Sequence, residues 1–310
     1  MNITATNFTE SAINTQSQPC PLCGGMRSTR FDQRIVQGKT ITNRRCANCG
    51  LVFQSPRMTD EELDAFYSAE YRRLYQGSAE PNAKDLLVQS RRATSLRKIV
   101  QSQLTSVTRH LDIGSSAGLL LQEIRDAYAC ESVGIEPGEA YREYARKQGL
   151  QVFESLEAMR QEFGAERRFD LISMAHVLEH LPAPVDYLRS IREEWLQPDG
   201  CLLVEVPNLY AHDSFEIAHL VSYSAHTLRQ VLESGGFEIT TLEQHGRPRS
   251  ELLPLYLTAL GRPAAARQEV APERFVWIKR RAGMLRRYVL TRTSPRKAWV
   301  PVKNSGRRKP

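Results

Sequence analysis

Long hydrophobic runs are missing from this 310-residue chain. No stretch approaches the ~18 apolar residues of a membrane-spanning helix, so a bundle of such helices is excluded. The first 19 residues are rich in Asn, Thr, Ser and Gln. They lack a basic n-region and an apolar h-region, so no signal peptide is expected, and the expected setting is the cytoplasm. Cysteine is scarce at six residues, and in the cytoplasm thiols stay reduced, which argues against a disulfide framework. Acid is lacking at one end: residues 274–310 hold thirteen Lys or Arg and no Asp or Glu. The rest of the chain holds 29 basic and 35 acidic side chains, so the net +7 belongs to a tail and not to the core.

Four of the cysteines, Cys20, Cys23, Cys46 and Cys49, form C-x2-C-x22-C-x2-C. Two such knuckles close a tetrahedral thiolate site around one zinc ion with no open position, as a structural site requires. Gly24 and Gly50 follow the second Cys of each knuckle, where a tight turn favours a residue without a side chain. A redox role for one C-x2-C would need a surrounding βαβ unit, and none is present. Cys130 and Cys201 lie in apolar strand-like segments and read as small buried hydrophobes. The expected units are a disordered segment 1–17, a zinc ribbon 18–57 and a helical linker or substrate cap 58–105. A main domain spans 106–262, and a basic amphipathic helix with a disordered tail covers 263–310.

In the main domain, strand and helix signals alternate. "HLDIG", "SVGIE", "LQVF", "FDLISMAH" and "CLLVEVP" read as strands separated by helices, and "FEITTLEQH" and "ELLPLYLTAL" as final strands. That order predicts a doubly wound α/β fold, a mostly parallel sheet covered on both faces. Pro254 inside the last run predicts an edge position or a bulge there. Thr59 and Asp60, followed by Glu61 and Glu62, read as a helix start.

"DIGSSAG" (112–118) joins the first strand to the first helix of this unit. Gly114 and Gly118 allow a tight turn and close approach to a ligand at the helix N-terminus. The second strand ends about 20 residues on in Glu136, an acid placed to hold both hydroxyls of a ribose. NAD is a rival ligand, but the pattern is D-x-G-x-x-x-G, and Asp112 would repel a pyrophosphate. A cationic nucleoside such as S-adenosylmethionine suits that acid.

"LDIGSSAG", "VGIEPGEAYREYAR", "FDLISMAHVLEHLPAP", "LQPDGCLLVEVPN" and "SGGFEI" together resemble a class I S-adenosylmethionine-dependent methyltransferase. The resemblance covers about half the chain. It implies a Rossmann-like seven-stranded sheet with a reversed last strand. It also implies that Asp112, Gly114, Ser115, Ala117 and Gly118 lie along the cofactor and that Glu136 binds the ribose. Phe153 would border the adenine, and Ala175 and His176 would face the methionine end. The front half, "CPLCGG…RCANCGLVFQSPR…FYSAEY", is similar to the zinc-containing methyltransferases of sugar and surface-polysaccharide pathways, including sugar C-methyltransferases. That similarity implies catalytic roles for His180, His219 and Tyr223. Ala218 stands where those relatives carry Glu.

Each site has a plainer alternative. His180 is either a catalytic base or substrate contact, or a His without chemical duty. His219 is either a base or a structural residue. Tyr67 and Tyr71 either cap the pocket or pack ribbon against main domain. "HVLEH" also fits a zinc-protease pattern, but Pro182 cuts off the continuous helix that pattern needs. In the tail, Phe275, Ile278, Ala282, Leu285 and Val289 fall at helical spacing, with Lys279, Arg280, Arg286 and Arg287 elsewhere on the wheel. This is either a basic amphipathic helix on anionic lipid, peripheral to the inner membrane face, or a helix packed on the domain. The expected function is methyl transfer to a sugar, free as a nucleotide derivative or within a glycan. RNA methylation and an inactive binding module are the alternatives.

Overall fold

A computed structural model describes residues 18–36, 38–59, 61–63, 80–267 and 269–301. The expectations for residues 1–17, Tyr67 and Tyr71 lie outside the described residues.

The N-terminal unit is a ribbon of three strands: β1 (Ser28–Val36), β2 (Lys39–Cys46) and β3 (Val52–Gln54), each antiparallel to the next. The two knuckles hang from its ends. Gly24 and Gly50 both have positive φ (+67° and +83°), as the turn argument requires. Thr59 and Glu62 form a reciprocal cap: Glu62 N–H donates to Thr59 Oγ1 at 3.2 Å and Thr59 N–H to Glu62 Oε2 at 2.8 Å.

Helix α1 (Ala83–Gln101) follows. It is capped by the Asn82 side chain and buries Ala93, Leu96, Ile99 and Val100 on one face. The chain then alternates: β4 (Arg109–Ile113), α2 (Leu119–Tyr128), β5 (Glu131–Ile135), α3 (Glu139–Lys147), β6 (Gln151–Phe153), α4 (Leu156–Phe163) and β7 (Phe169–Ala175). A 3₁₀ turn (Leu178–His180) leads to α5 (Pro184–Glu194), β8 (Leu196–Pro207), β9 (Val221–Ser222), α6 (Ala225–Ser234), β10 (Phe237–His245) and β11 (Tyr256–Pro263). Helices α7 (Val276–Thr293) and α8 (Pro295–Ala298) complete the described chain.

The main sheet has seven strands in the order β10-β11-β8-β7-β4-β5-β6. β6, β5, β4, β7 and β8 run parallel, and β11 is antiparallel to both its neighbours. Residues 110–113 of central β4 are all buried, as expected for a strand covered on both faces. One core layer joins α1 and α2 to the sheet through Leu96, Val100, Leu120 and Ile124. The opposite layer runs continuously from α5 and α6 into the ribbon.

Three expectations need correction. β8 begins at Leu196, not after Gly200: its register against β7 jumps from Phe169↔Leu196 to Leu171↔Cys201, so "PDG" is absorbed as a bulge. Pro254 precedes β11, and β11 is an inner strand, so the proline marks neither an edge nor a bulge. Residues 291–301, expected within the disordered tail, are folded. Ala298 is fully buried, Glu251 N–H donates to Lys297 O, and Val300 N–H donates to Arg249 O.

The ribbon is not a loose appendage. β3 pairs with β9, a two-residue strand contributed by the main domain, through Val52↔Ser222 and Phe53↔Val221. Gln54, 6% exposed, donates its side-chain amide to Glu216 O at 2.6 Å and His219 O at 2.8 Å. Its backbone N–H donates to Leu220 O at 2.8 Å. Gly50 abuts the tail, where an added Cβ would stand 2.7 Å from Glu273 O.

Candidate active site

The cysteine cluster comes first because it supports the rest. Cys20 Sγ lies 3.5 Å from Cys49 Sγ, and Cys23 Sγ lies 3.6 Å from Cys46 Sγ. A tetrahedral ion with ~2.3 Å bonds to sulfur sets its ligands ~3.8 Å apart, and the four Sγ atoms here all lie within 4.8 Å of one another. Asn48 N–H points at Cys46 Sγ at 3.4 Å, as backbone amides do in such knuckles. The cluster fits a structural zinc with all four positions filled by protein.

A cavity of about 490 Å³ opens at the carboxyl ends of β4, β5 and β7, where open α/β sheets bind ligands. Asp112, Gly114, Ser115, Glu136, Ala175, His176 and His180 of the expected site residues all line it. Gly114 turns at φ +73°, and an added Cβ would meet the Val177 side chain at 2.5 Å. Glu136, 3% exposed, is aimed by two backbone amides: Ser116 N–H at 2.9 Å and Gly138 N–H at 2.8 Å. The two amides grip both carboxylate oxygens and hold them at the mouth of the turn. Ser115 lines the wall, but its Oγ turns away toward Gly134 of β5, where an added Cβ would stand 2.6 Å from it.

Asp112 accepts from Ser173 Oγ at 2.6 Å, and Ser173 in turn meets His110 Nε2 at 2.8 Å. Burial pushes the Asp112 carboxyl up to about 7, and the charge of Glu136 adds to this. Two carboxyls therefore face one cavity. Among the described residues, the Arg or Lys of the cavity wall is Arg92, which reaches it from α1 but is already paired with Glu205 at 2.9 Å. Such a wall repels phosphate and suits a cationic nucleoside.

Three expected cofactor contacts sit off the cavity wall. Ala117 is fully buried behind the turn. Gly118 caps α2, and an added Cβ would strike Leu150 at 2.3 Å and Ala145 at 3.2 Å, so its role is packing α2. Phe153 packs edge-on against Phe163, while its carbonyl accepts from Glu136 N–H at 2.9 Å and so fixes the residue that faces the ligand.

At the other end of the cavity, His180 of the wall meets His219, which lies buried behind it, with ring centroids 4.9 Å apart. His180 Nδ1 lies 2.9 Å from Ala218 O and His219 Nδ1 lies 2.7 Å from Ser214 O. A carbonyl only accepts, so each ring donates from Nδ1, and in His180 this leaves Nε2 as the basic nitrogen. Burial pushes His180 down to about 4, so the ring is neutral at pH 7. Tyr223 lies off the wall, fully buried, with its hydroxyl donating to Leu178 O at 3.2 Å, so it braces the 3₁₀ turn that carries His180.

Beneath these lies a charge network that motif reading missed. His176, at φ +59°, places Nδ1 3.1 Å from Glu179 Oε1 and Nε2 3.3 Å from Glu205 Oε1. The second contact is close enough to pair but off the hydrogen-bonding line. Glu205 also meets Thr258 Oγ1 at 3.0 Å and His245 at 3.4 Å. Glu205 had a signal, a lone acid inside the apolar run "CLLVEVP". Arg92 had none, since it sits among other charges on a helix. Asp85 and Gln89 of α1 and Tyr187 of α5 complete the polar wall.

A model of the methyltransferase domain family matches residues 65–242. The fold is similar to that of a 1,6-didemethyltoxoflavin-N1-methyltransferase from Burkholderia thailandensis, whose structure contains 1,6-didemethyltoxoflavin and S-adenosylhomocysteine. Identity is 16%, 76% of this chain and 100% of that one are covered, and the TM-score is 0.55. An S-adenosylmethionine-dependent methyltransferase from Archaeoglobus fulgidus is 18% identical over 61% of this chain and 96% of that one, with a TM-score of 0.45. A search of the curated proteins gives no significant match. The family match spans more than half of the sequence and contains Asp112, Glu136 and the cavity they line, so the chain belongs to the methyltransferase domain family, with S-adenosylmethionine as its methyl donor.

Proposed function

We propose that the enzyme methylates a sugar hydroxyl, on a nucleotide-linked sugar or within a glycan. The carrying observation is the acceptor end of the cavity. Neutral His180, oriented by Ala218 O, stands beside His219, and Tyr187 of α5 lines the same cavity as a further polar group for a polyhydroxylated molecule. S-adenosylmethionine supplies a methyl group already activated on sulfonium. Glu136 holds the ribose hydroxyls, and Asp112 supplies negative charge beside the cationic donor. His180 Nε2 takes the acceptor proton as the oxygen attacks in line.

Oxygen is favoured over carbon. Carbon attack needs an enolate and donors for its oxyanion. The position where the similar C-methyltransferases carry Glu is Ala218, which acts here through its carbonyl. RNA is disfavoured because, among the described residues, Arg92 is the Arg or Lys that lines the cavity and it is already paired with Glu205. We place the enzyme in the cytoplasm, peripheral to the inner face of the membrane. The test is transfer of labelled methyl to a panel of nucleotide sugars, with the product methyl located by NMR. An O-methyl sugar is expected. Transfer only to RNA or to a carbon centre would overturn the reading.

A further inference from the structure

Among the described residues, eight large hydrophobic side chains are exposed, and six of them, Phe275, Trp277, Ile278, Leu285, Tyr288 and Val289, sit on or just before α7. A surface helix normally turns its apolar stripe inward. Here it is turned outward. The inner face docks through Val276 and Arg280, both buried. Arg280 donates to Leu209 O and His212 O and pairs with Asp213 at 3.1 Å, while Arg287 donates to Ala211 O at 3.1 Å. The backbones touch at Gly283, where an added Cβ would overlap Tyr210 O at 1.8 Å.

At 100° per residue the opposite face carries Ile278, Ala282, Leu285 and Val289 in one line. Ile278 is 59% exposed and Leu285 63%. Lys279, paired with Glu273 at 3.1 Å, and Arg286, donating to Leu252 O at 2.9 Å, border the line on one side, and Arg281 and Arg292 on the other, all exposed. Arg281 covers the Trp277 ring at 3.6 Å and Arg292 the Tyr288 ring at 3.5 Å. The helix cannot roll its stripe inward, because α8 is fastened to the β10–β11 connection at both Glu251 and Arg249.

We propose that the outer face of α7 is a bilayer-docking surface that seats in the headgroup region of an anionic membrane. This is independent of which acceptor is methylated. An apolar line bordered by cations, with Trp and Tyr at its margin, matches the headgroup–acyl boundary. A second copy is a poor occupant. A two-fold contact would set these cations against their own copies, and no acid lies on α7 or after it to compensate. Nucleic acid is a poor occupant because the centre of the stripe is aliphatic and offers bases nothing to stack on. Docking also has a consequence for the site. The 209–213 loop that receives α7 includes His212, whose ring lies 5.8 Å from that of Tyr256, and Tyr256 packs at 5.3 Å against His176 of the cavity wall.

The test is sedimentation of the full chain with vesicles of phosphatidylglycerol and phosphatidylcholine, and with phosphatidylcholine alone. Binding is expected to the anionic vesicles, weakened by salt. Ile278→Ser, Leu285→Ser and Val289→Ser combined should lower the partition coefficient about 100-fold, because each removes a partly exposed side chain's transfer into the acyl boundary. S-adenosylmethionine affinity of the variant should stay unchanged, which shows that it is folded. The proposal is overturned if the wild type ignores anionic vesicles or if the triple variant binds them equally. It is also overturned if ultracentrifugation reveals a dimer that the same substitutions dissolve, or if RNA is bound more tightly than vesicles at equal salt.

Discussion

Replacing Gln54 by Leu tests what the zinc ribbon is for. The side chain is buried on β3 and holds Glu216 O and His219 O at 2.6 and 2.8 Å, across the joint between ribbon and main domain. Leu keeps the backbone bond to Leu220 O but removes both side-chain donors. Two acceptors are then left in a buried loop. Two lost hydrogen bonds and their desolvated partners cost about 2 to 4 kcal/mol together, or roughly 3 to 6 °C in Tm for a chain of this size. The loop so loosened carries His219 and the Ala218 carbonyl that orients His180. Misplacing a reacting group by ~1 Å can cost ~100-fold in rate. The donor pocket on β4 and β5 makes no contact with Gln54. The expected outcome is a kcat reduced 10- to 100-fold, with S-adenosylmethionine affinity by calorimetry within about threefold of wild type. A variant with normal kcat, or one whose first loss is donor affinity, would refute the idea that the ribbon organises the acceptor side.

Elemental analysis should find one zinc per chain. Cys46→Ser should release it and lower turnover more than donor binding, because β3 is tied to the metal knuckle by Cys46 and Leu51. His180→Gln should leave donor affinity intact and cut kcat by about 10²- to 10⁴-fold, the range of a lost general base. Donor affinity should rise with pH between about 6 and 8, with a proton released on binding, because burial holds Asp112 up at about 7 and a bound cation favours its carboxylate. The same raised value means that Asp112's contribution to stability is present at low pH and is lost as pH rises through about 7.

The parts of this molecule that were legible in the sequence are local ones. The knuckles follow from cysteine spacing, and the donor pocket from a strand, a glycine turn, a helix and an acid within 25 residues, 112–136. What was hidden depends on distant segments meeting. β9 is two residues long and has no periodicity to read, yet its pairing with β3 fixes how the ribbon docks. Tyr223 matches a catalytic pattern by spacing, but the fold turns it inward to brace Leu178. Gly118 carries the same glycine signal as Gly114, and only the positions of Leu150 and Ala145 reveal that it serves packing. The wheel of α7 was readable, but which face points outward depends on where Arg280 finds carbonyls to hold.

Calorimetric titration of the purified protein with S-adenosylmethionine, repeated on Glu136→Ala, tests the central claim most directly. The wild type should bind one equivalent. The variant loses a carboxylate pre-aimed by two amides toward a ribose diol, a charge-assisted pair of about 2 to 3 kcal/mol, so its affinity should fall roughly 30- to 150-fold. Absence of binding to the wild type, or equal affinity in the variant, would contradict the account.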